Sequence, residues 1–592
     1  DGGDTSAATV TASSASALAI DISGAVEQTG AFSAAKATTV TANLGATVAQ
    51  SAVKISAAKA ETVAITDTKG ATLNAASDFT AAKTVTIENS GGTFTNAEVL
   101  PAASSVTLTG TGSKAAWDGN ALIGATNLSY DLTVTASGYK AGFNQDGGAI
   151  NSGDGDLTVN LDGITEGAID TGDLTAGGTL TVSADTLGTF ELGATNTGKS
   201  VVIDAADVLG ALTYGNIVAT SAVTIDGSTL KANVVTVDAS TTSTALTVDF
   251  DGGNGVDTLD VDTGAKTKSI TVSGDQGVGS DTIAIDVAAY TADTTSTITI
   301  DVSGVAADTT NQTAITIETD AELDNDMVIK GSTGTSDTIN LGTDKTYTSD
   351  MTITGIETIL HNSATATTVT AATLNGVEAT LTGNLTTDNF VIAGADAVDD
   401  TIDVSDITHN GAAAADFVIN GGTGDDTVTG TASHDTINLG AGSDTVNVSD
   451  GTDIITLGTD AVEDTVSHTN IEDNAATTTV TDFDTTVDTL VLSAADLNAL
   501  IGSAQFASGD STGTIHEIES DDSGVDAASG TAFTFVYDVA TGNLFLDVDG
   551  DTADDAANAI SGTADDIAII TISDAAAAAT GDIIAADITI IA

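Results

Sequence analysis

The sequence predicts an all-β protein, an elongated β-solenoid that continues into a parallel β-roll, with little helix. Between residues 38 and 252, short runs of alternating apolar and polar residues, rich in Val, Ile and Thr, recur at mostly regular spacing. Further along the chain, Gly- and Asp-rich units of nine residues follow one another in a fixed frame. Aromatic residues make up only 3% of the chain, which favours a narrow solenoid core over a thick sandwich core.

The alternating runs are each bounded by Gly, Asp, Asn or Ser, as half-buried or edge strands are. Their centres lie mostly at roughly 20 to 25 residue intervals, a length that lets each solenoid rung bury small side chains on the next. A string of β-sandwich modules also gives short strands between turns, and it stays open as an alternative. The runs are 38–44, 84–89, 105–110, 132–136, 157–163, 179–185, 201–207, 223–228, 235–240 and 247–252.

Helix is expected only in Ala-rich stretches. One candidate is 56–62 (SAAKAET). The other is 493–502 (SAADLNALIG), in which Ser493 is a suitable N-cap and Gly502 a suitable stop.

A nine-residue pattern, Gly-Gly-x-Gly-x-Asp-x-apolar-x, is complete at Gly421–Thr429 (GGTGDDTVT). Three further units follow in the same register through residue 456, ending on the weaker VSDGTDIIT. A second complete copy stands at 252–260, and 276–284 lacks only the first Gly. Glycine permits a tight turn with inward-facing carbonyls, Asp supplies a hard carboxylate oxygen, and the apolar residue points into the core. The pattern therefore predicts calcium-binding turns of a parallel β-roll.

Degenerate copies extend the pattern. The Asp-Thr-apolar triplet also occurs at Asp337, Asp400 and Asp464, where the glycines are displaced or missing. Each of these is a predicted calcium ligand, although an ordinary loop-to-strand junction would have the same sequence. Asp488 carries the triplet too, but it lies in a different segment and is a weaker candidate. The alternating carboxylates of 547–551 (DVDGD) form a further possible calcium loop.

The charge balance is consistent with bound cations. The chain has 84 acidic residues against 13 basic ones, all of them Lys, and the last is Lys345. A chain with so large an excess of negative charge repels itself unless counter-ions bind, and calcium is the natural candidate. A halophilic or merely soluble acidic surface is the alternative. The sign of the charge excludes nucleic acid as a partner. No apolar run is long enough to span a membrane. The absence of Cys fits folding outside the cell without disulfides.

The repeats resemble those of RTX proteins. The segment 480–493, with Phe483 and Leu490, is similar to the stretch that closes an RTX roll, and 533–551 resembles the terminal hairpin of proteins exported by type I secretion. The resemblance covers about 250 to 592, and it implies multiple bound calcium ions. It divides the chain into 1–250 (solenoid-like), 251–470 (RTX roll) and 471–592 (C-terminal cap with a type I secretion signal). The residues expected to form calcium sites are Gly252, Gly253, Gly255, Asp257, Gly277, Gly279, Asp281, Asp337, Asp400, Gly421, Gly422, Gly424, Asp426, Asp435, Gly440, Gly442, Asp444, Asp453, Asp464, Asp547, Asp549 and Asp551.

Composition and size are similar to those of RTX-type surface-layer proteins of Gram-negative bacteria. That resemblance implies a secreted, extracellular structural protein whose partner is a second copy of itself in a calcium-bridged lattice. The family's lipopolysaccharide-binding helical domain is not evident, so anchoring involves a segment before Asp1 or differs here. A calcium-stabilised adhesin or matrix filament is the alternative.

Enzymatic activity is not expected. No His-Glu-x-x-His motif occurs, and the five His are dispersed. The single Gly-x-Ser-x-Gly, at 509–513, lies in a β-rich acidic tail and lacks the strand-to-helix context of a nucleophile elbow.

Overall fold

The chain divides into two compact units. The first is formed by residues 1–292, 296–319 and 328–337, and the second by 293–295, 320–327 and 338–592. The computed structural model describes residues 10–22, 31–44, 50–119, 123–124, 130–145, 148–227, 234–239, 245–249, 258–263, 269–275, 282–286, 298–306, 314–319, 327–332, 334, 337–341, 347, 351–361, 366–383, 390–409, 417–448, 450–468, 478–500, 507, 516–518, 534–538, 542–547, 567–573 and 587–591.

The first unit is a stack of parallel rungs whose strands form three sheets. The first sheet contains Val10–Thr11, Ala31–Ser33, Gln50–Ser56, Ala71–Leu73, Thr93–Asn96, Ala116–Gly119, Phe143–Asn144, Ile169–Asp170, Phe190–Glu191 and Leu212–Thr213. The second contains Ala17–Ile22, Thr39–Leu44, Thr62–Asp67, Thr84–Asn89, Ser105–Gly110, Leu132–Ser137, Leu157–Gly163, Thr179–Ser183, Ser200–Asp204, Ala222–Asp226, Ala245–Asp249, Ser269–Asp275 and Ile298–Ala306. The third contains Ile123–Gly124, Ile150–Asn151, Leu174–Thr175, Thr195–Gly198, Asn216–Ala219, Val234–Ala239, Thr258–Thr263, Thr282–Asp286 and Ala314–Thr319.

Alternating side chains explain why these segments stack. In Thr39–Leu44 every second residue is buried, and the threonines between them face outward. Val40 aligns with Val63 in the next rung, and Val63 aligns with Val85 in the rung after that. Identical apolar side chains therefore stack on one another along the core, as a solenoid requires. The strand pairs described in this unit are parallel, which confirms the solenoid and is inconsistent with sandwich modules.

Aromatic side chains stack on one another inside the first unit. Trp117 is buried between the rings of Phe94 and Phe143, at centroid distances of 5.7 and 6.2 Å. Its indole N–H donates to Oε1 of Gln145 at 2.8 Å, so the one polar atom of the ring is satisfied inside the core.

One of the two expected helices is wrong. Residues 56–62 join strands Gln50–Ser56 and Thr62–Asp67 through a turn, in which the Ala60 N–H donates to the Ala57 carbonyl at 2.8 Å. Ala57 and Ala60 are buried at the corner of the rung, so stacking on adjacent rungs overrides the helix propensity of alanine. The second helix is confirmed as Ala494–Leu500, capped by Oγ of Ser493, which accepts the Asp496 N–H at 3.2 Å. Gly502 lies outside the described residues.

The second unit is also built mainly of parallel strands. One group contains Thr338–Leu341, Thr358–His361, Ala379–Gly383 and Ile407–His409. Another contains Thr367–Thr370, Phe390–Ala393, Phe417–Thr423, Asp435–Ala441, Ile454–Thr456, Thr479–Thr481, Ile567–Ser573, Asn543–Asp547, Thr534–Asp538 and His516–Ile518. A third contains Thr401–Asp403, Thr427–Thr429, Thr445–Asn447, Thr465–His468, Thr489–Ser493 and Ile588–Ile591. Strand Met351–Thr354 and the short helix Ala371–Leu374 also belong to this unit, whereas strand Met327–Lys330 lies mostly in the first.

The rung becomes shortest where the nonapeptides occur. Strand Thr427–Thr429 pairs in parallel with Thr445–Asn447, and residues 18 apart face each other there. One rung therefore consists of two nonapeptides, each supplying one turn and one short strand. The expected hairpin after the roll is present as Thr534–Asp538 paired antiparallel with Asn543–Asp547. Among the described residues, no helix is long and apolar enough to cross a membrane.

Candidate metal centre

Five aspartates lie one above another along one edge of the roll: Asp400, Asp426, Asp444, Asp464 and Asp488. Each directly precedes a strand of the same sheet, from Thr401–Asp403 to Thr489–Ser493. We call this set the inner column. Asp400 is half-buried, and the other four are at most 5% exposed. Parallel pairing of the following strands fixes the vertical spacing of the carboxylates at about the 4.8 Å that separates neighbouring strands.

Backbone hydrogen bonds connect each member of the column to the next. The Asp400 N–H donates to Oδ1 of Asp426 at 2.8 Å, and the Asp426 N–H donates to Oδ1 of Asp444 at 2.8 Å. The same bond joins Asp444 to Asp464 and Asp464 to Asp488, each at 2.9 Å. One oxygen of each accepting carboxylate is thus held by the rung above it, and the direction of its second oxygen is fixed.

A shorter second column lies on the other edge of the roll. The Asp435 N–H donates to Oδ1 of Asp453 at 3.0 Å. In the following rung a threonine takes the equivalent place, because the Asp453 N–H donates to Oγ1 of Thr478 at 3.4 Å. The two nonapeptides of each rung therefore contribute one aspartate to each edge.

Glycines make the turns beside the inner column possible. Gly422, Gly424, Gly440 and Gly442 have φ values of +121°, +152°, +112° and +149°, which L side chains rarely adopt. A Cβ on Gly442 would overlap the carbonyl oxygen of Gly424, and one on Gly440 would overlap that of Gly422. Carbonyl oxygens of one turn thus lie directly against the backbone of the next.

The second oxygens of two column members have no hydrogen-bond partner. Oδ2 of Asp426 and Oδ2 of Asp444 are both buried and unpaired. A Cβ placed on Gly421 would lie 2.7 Å from Oδ2 of Asp426 and 2.5 Å from the carbonyl oxygen of Leu439. An unpaired carboxylate oxygen and a backbone carbonyl oxygen therefore line the same small space. A buried anionic oxygen without a donor is costly unless a cation compensates it.

The pKa shifts of the column also indicate that a cation is needed there. Burial raises the pKa of Asp426 and Asp444, and the charges of neighbouring carboxylates raise it further. Burial, followed by the charges of Asp488 and Asp444, raises the pKa of Asp464 to about 7. The pKa of Asp488 is raised as well, chiefly by burial. Stacked carboxyl groups in this setting stay protonated unless a metal ion neutralises their charge.

The donor set fits calcium. In the described part of the chain, no three His, Cys, Asp or Glu side chains converge on one point, so side chains alone do not form a site. A metal ion here needs backbone carbonyl oxygens in addition to Asp. Calcium takes six to eight oxygen ligands, carbonyls included, in flexible geometry, whereas zinc favours Cys and His. Asp426 and Asp444, with the carbonyls of the adjacent glycine turns, are the residues that would hold it.

The fold and this site define a parallel β-roll with calcium-binding turns. Residues 419–455 match the family model of the RTX calcium-binding nonapeptide repeat, in four copies. No significant match was found among curated proteins or among solved structures. The repeat class is therefore shown for this segment, and calcium is the ion that such repeats bind.

Apart from the turn glycines described above, the predicted site residues fall into four groups. Asp400, Asp426, Asp444 and Asp464 come together in the inner column, and Asp435 and Asp453 form the second column. Asp337 is buried separately, where its Oδ2 accepts the Ser332 N–H. Residues outside the described part of the chain are Gly252, Gly253, Gly255, Asp257, Gly277, Gly279, Asp281, Asp549 and Asp551, and of Asp547 only the backbone is described, at the end of its strand.

Asp488, a weaker candidate by its sequence context, belongs to the inner column. The residue lies in the segment after the repeats, but it aligns with Asp464 and receives its N–H. The signal was present as Asp-Thr-Leu at 488–490, the same triplet that marks the other members of the column. The spacing from Asp464 is longer than two nonapeptides, so the repeat frame did not reach it.

Proposed function

We propose that the protein is a secreted, non-catalytic structural protein of the cell exterior that folds on binding calcium and self-assembles into a surface layer. The observation that carries this proposal is the inner column, in which buried, unpaired carboxylate oxygens need a cation to balance them. A site of this kind supplies folding energy because the unfolded chain cannot hold its ligands together.

The scarcity of internal counter-charges supports assembly through external ions. Among the described residues, three ion pairs occur: Lys83–Glu61 at 3.7 Å, Lys140–Glu166 at 2.7 Å and Lys330–Asp301 at 2.8 Å. No Lys follows Lys345, so carboxylates after that position have no cationic side chain later in the chain. Cations from solution, or groups on neighbouring molecules, have to balance them.

A row of exposed carboxylates beside the inner column offers a surface for bridging. We call it the outer edge, and it consists of Asp396, Asp399, Asp425, Asp460 and Glu463, all exposed. Its members are held in place by backbone bonds: the Asp425 N–H donates to Oδ1 of Asp399 at 3.0 Å, and the Ser443 N–H donates to Oδ1 of Asp425 at 2.9 Å. Ordered carboxylates on an exposed edge suit divalent ions shared between two molecules.

The second candidate is a calcium-stabilised adhesin or matrix filament. The exposed apolar residues Val398 and Val462, at 51% and 45% exposure, lie on the same edge as these carboxylates and would suit contact with another macromolecule. The two candidates differ in whether the purified protein associates with itself in calcium.

The test is light scattering and electron microscopy of the purified chain in calcium-free buffer and in millimolar calcium. We expect a soluble protein without calcium, since like charges repel, and ordered sheets with it. Sodium at matched ionic strength controls for screening. Magnesium controls for divalent charge, since it sheds its waters reluctantly and suits carbonyl-rich turns poorly.

Each outcome has a distinct meaning. Assembly in sodium or magnesium equal to that in calcium would refute specific bridging. Calcium-induced folding without any rise in scattering at high protein concentration would replace the surface layer with the monomeric adhesin.

A further inference from the structure

Five aspartates of the roll fall into two classes according to what their second oxygen contacts. In one class, an amide from the residue's own turn donates to that oxygen. In the other, no donor reaches it. The bond from the neighbouring rung does not decide the class, because Asp488 of the first class accepts it just as both members of the second class do.

Three aspartates belong to the first class. Oδ2 of Asp400 accepts the Ala395 N–H at 2.6 Å, and Oδ2 of Asp488 accepts the Asp484 N–H at 2.7 Å. Oδ2 of Asp435 accepts the Thr431 N–H at 2.7 Å, and Oδ1 of Asp435 accepts the Thr431 hydroxyl at 3.0 Å. Each carboxylate therefore closes its own turn without help from an ion. We call these residues the self-capped aspartates.

Asp426 and Asp444 form the second class. Each uses Oδ1 to accept the N–H of the preceding column member, as Asp488 does. Their Oδ2 atoms are buried and have no partner. At Asp426 the space beside Gly421 is lined by Oδ2 together with the carbonyl oxygen of Leu439.

The local sequence explains the difference. The turns before Asp426 and Asp444 each contain two glycines with φ between +112° and +152°, which rotate the peptide planes. The turn before Asp488 contains no glycine, and in the turns before Asp400 and Asp435 the single glycine is not among those with positive φ. Without the paired glycines the turn keeps an N–H directed at the carboxylate.

The two classes are also ordered along the inner column. Asp400 is its first member and Asp488 its last, whereas Asp426 and Asp444 lie between them. On the opposite edge, Asp435 is the first aspartate of the second column, since its strand pairs with Phe417–Thr423, where Phe417 stands opposite it.

We propose that backbone amides replace calcium at the ends of the columns, so that ions bind at interior turns such as those around Asp426 and Asp444. The self-capped aspartates then act as calcium-independent ends that give the ion ladder a fixed length. Asp400 and Asp435, which the repeat pattern predicts as ligands, become turn caps. The proposal rests on calcium binding by the roll and is independent of lattice formation.

Equilibrium dialysis with radioactive calcium tests the assignment on two matched variants, Asp444→Ala and Asp488→Ala. Both remove a buried aspartate of the same column that accepts the same backbone bond. We expect Asp444→Ala to lower the number of bound ions and to lower the melting temperature in calcium more than in calcium-stripped buffer. We expect Asp488→Ala to keep the number of bound ions and to lower the melting temperature by a similar amount in both buffers.

Hydrogen exchange of the unmodified protein, followed by mass spectrometry, gives a second readout that does not depend on the variants folding. On removal of calcium, peptides containing the donor amides of Thr431 and Asp484 should lose less protection than peptides covering 421–426 and 439–444.

Loss of the same number of ions in both variants would overturn the proposal, as would an equal loss of protection, on calcium removal, at the Thr431 and Asp484 amides and at the turns 421–426 and 439–444. Failure of the unmodified protein to bind any calcium would overturn the proposed function together with this inference. Calcium binding without assembly would leave this inference standing and remove the surface layer alone.

Discussion

Replacing Asp464 by Asn should have opposite effects on stability with and without calcium. Asp464 is 4% exposed and lies between Asp444 and Asp488 in the inner column. Burial and those two neighbours raise its pKa from 3.8 to about 7. Because the folded-state pKa is raised, this carboxyl stabilises the protein below pH 3.8, and that contribution is lost as the pH rises through about 7.

The magnitude follows from the pKa shift. A rise of about three pKa units corresponds to on the order of 4 kcal/mol of unfavourable free energy for the ionised, ion-free protein above neutral pH. Asn has nearly the same shape and no charge, and it keeps an oxygen that can accept the Asp444 N–H. We therefore expect Asp464→Asn to raise the stability of calcium-free protein by up to about 4 kcal/mol at about pH 8.

In calcium the sign should reverse, because a bound ion removes the penalty and needs the carboxylate. The assay is urea unfolding followed by circular dichroism at about pH 8 and about pH 5, in calcium-stripped buffer and in millimolar calcium. At about pH 5 without calcium, the difference should shrink to less than about 2 kcal/mol, since the folded protein already carries the proton on Asp464. Asp460→Asn, which removes an exposed charge from the outer edge, is the control and should change the midpoint little in either buffer. An Asp464→Asn midpoint below that of the unmodified protein in calcium-free buffer at about pH 8 would show that the buried charge of Asp464 does not destabilise the ion-free fold.

Three further predictions follow from individual contacts. Asp426→Ala should weaken calcium binding in a titration more than Asp399→Ala, because only Asp426 presents a buried unpaired oxygen to the turn; equal effects would contradict the assigned register. Gly442→Ala should lower the melting temperature more than Gly376→Ala, since both have positive φ but only the first has a carbonyl in the path of the new Cβ, and equal losses would mean that φ strain alone matters. Trp117→Ala should cost about 3 to 5 kcal/mol in calorimetry whether or not calcium is present, and a loss seen only in calcium would tie the first unit to the ion.

The sequence was informative wherever a rung has a simple period. Alternating residues such as those of Thr84–Asn89 predicted parallel solenoid strands, and the nonapeptides predicted the roll and its calcium chemistry. Local propensity failed at 56–62, because an alanine buried at a rung corner depends on rungs above and below that no local window contains. Asp488 was undervalued for a related reason: its place in the column is set by the pairing of Thr489–Ser493 with Thr465–His468.

The division of the aspartates into two classes could not be predicted from the Asp-Thr-apolar triplet alone. Asp435 and Asp444 share that triplet, and Thr431 caps the first while no donor reaches Oδ2 of the second. The deciding feature is the direction of one peptide plane in each turn. The glycine content of the turn carries part of that information, but the hydrogen bond appears only once the turn is folded.

Circular dichroism and thermal melting of the intact chain, during removal and return of calcium, measure whether the fold depends on the ion. Removal should lower the β-sheet signal and the melting temperature, millimolar calcium should restore both, and equal magnesium should not. A spectrum and melting curve that are the same in excess chelator and in calcium would contradict this dependence, because the buried carboxylates of the inner column would then be accommodated without any ion.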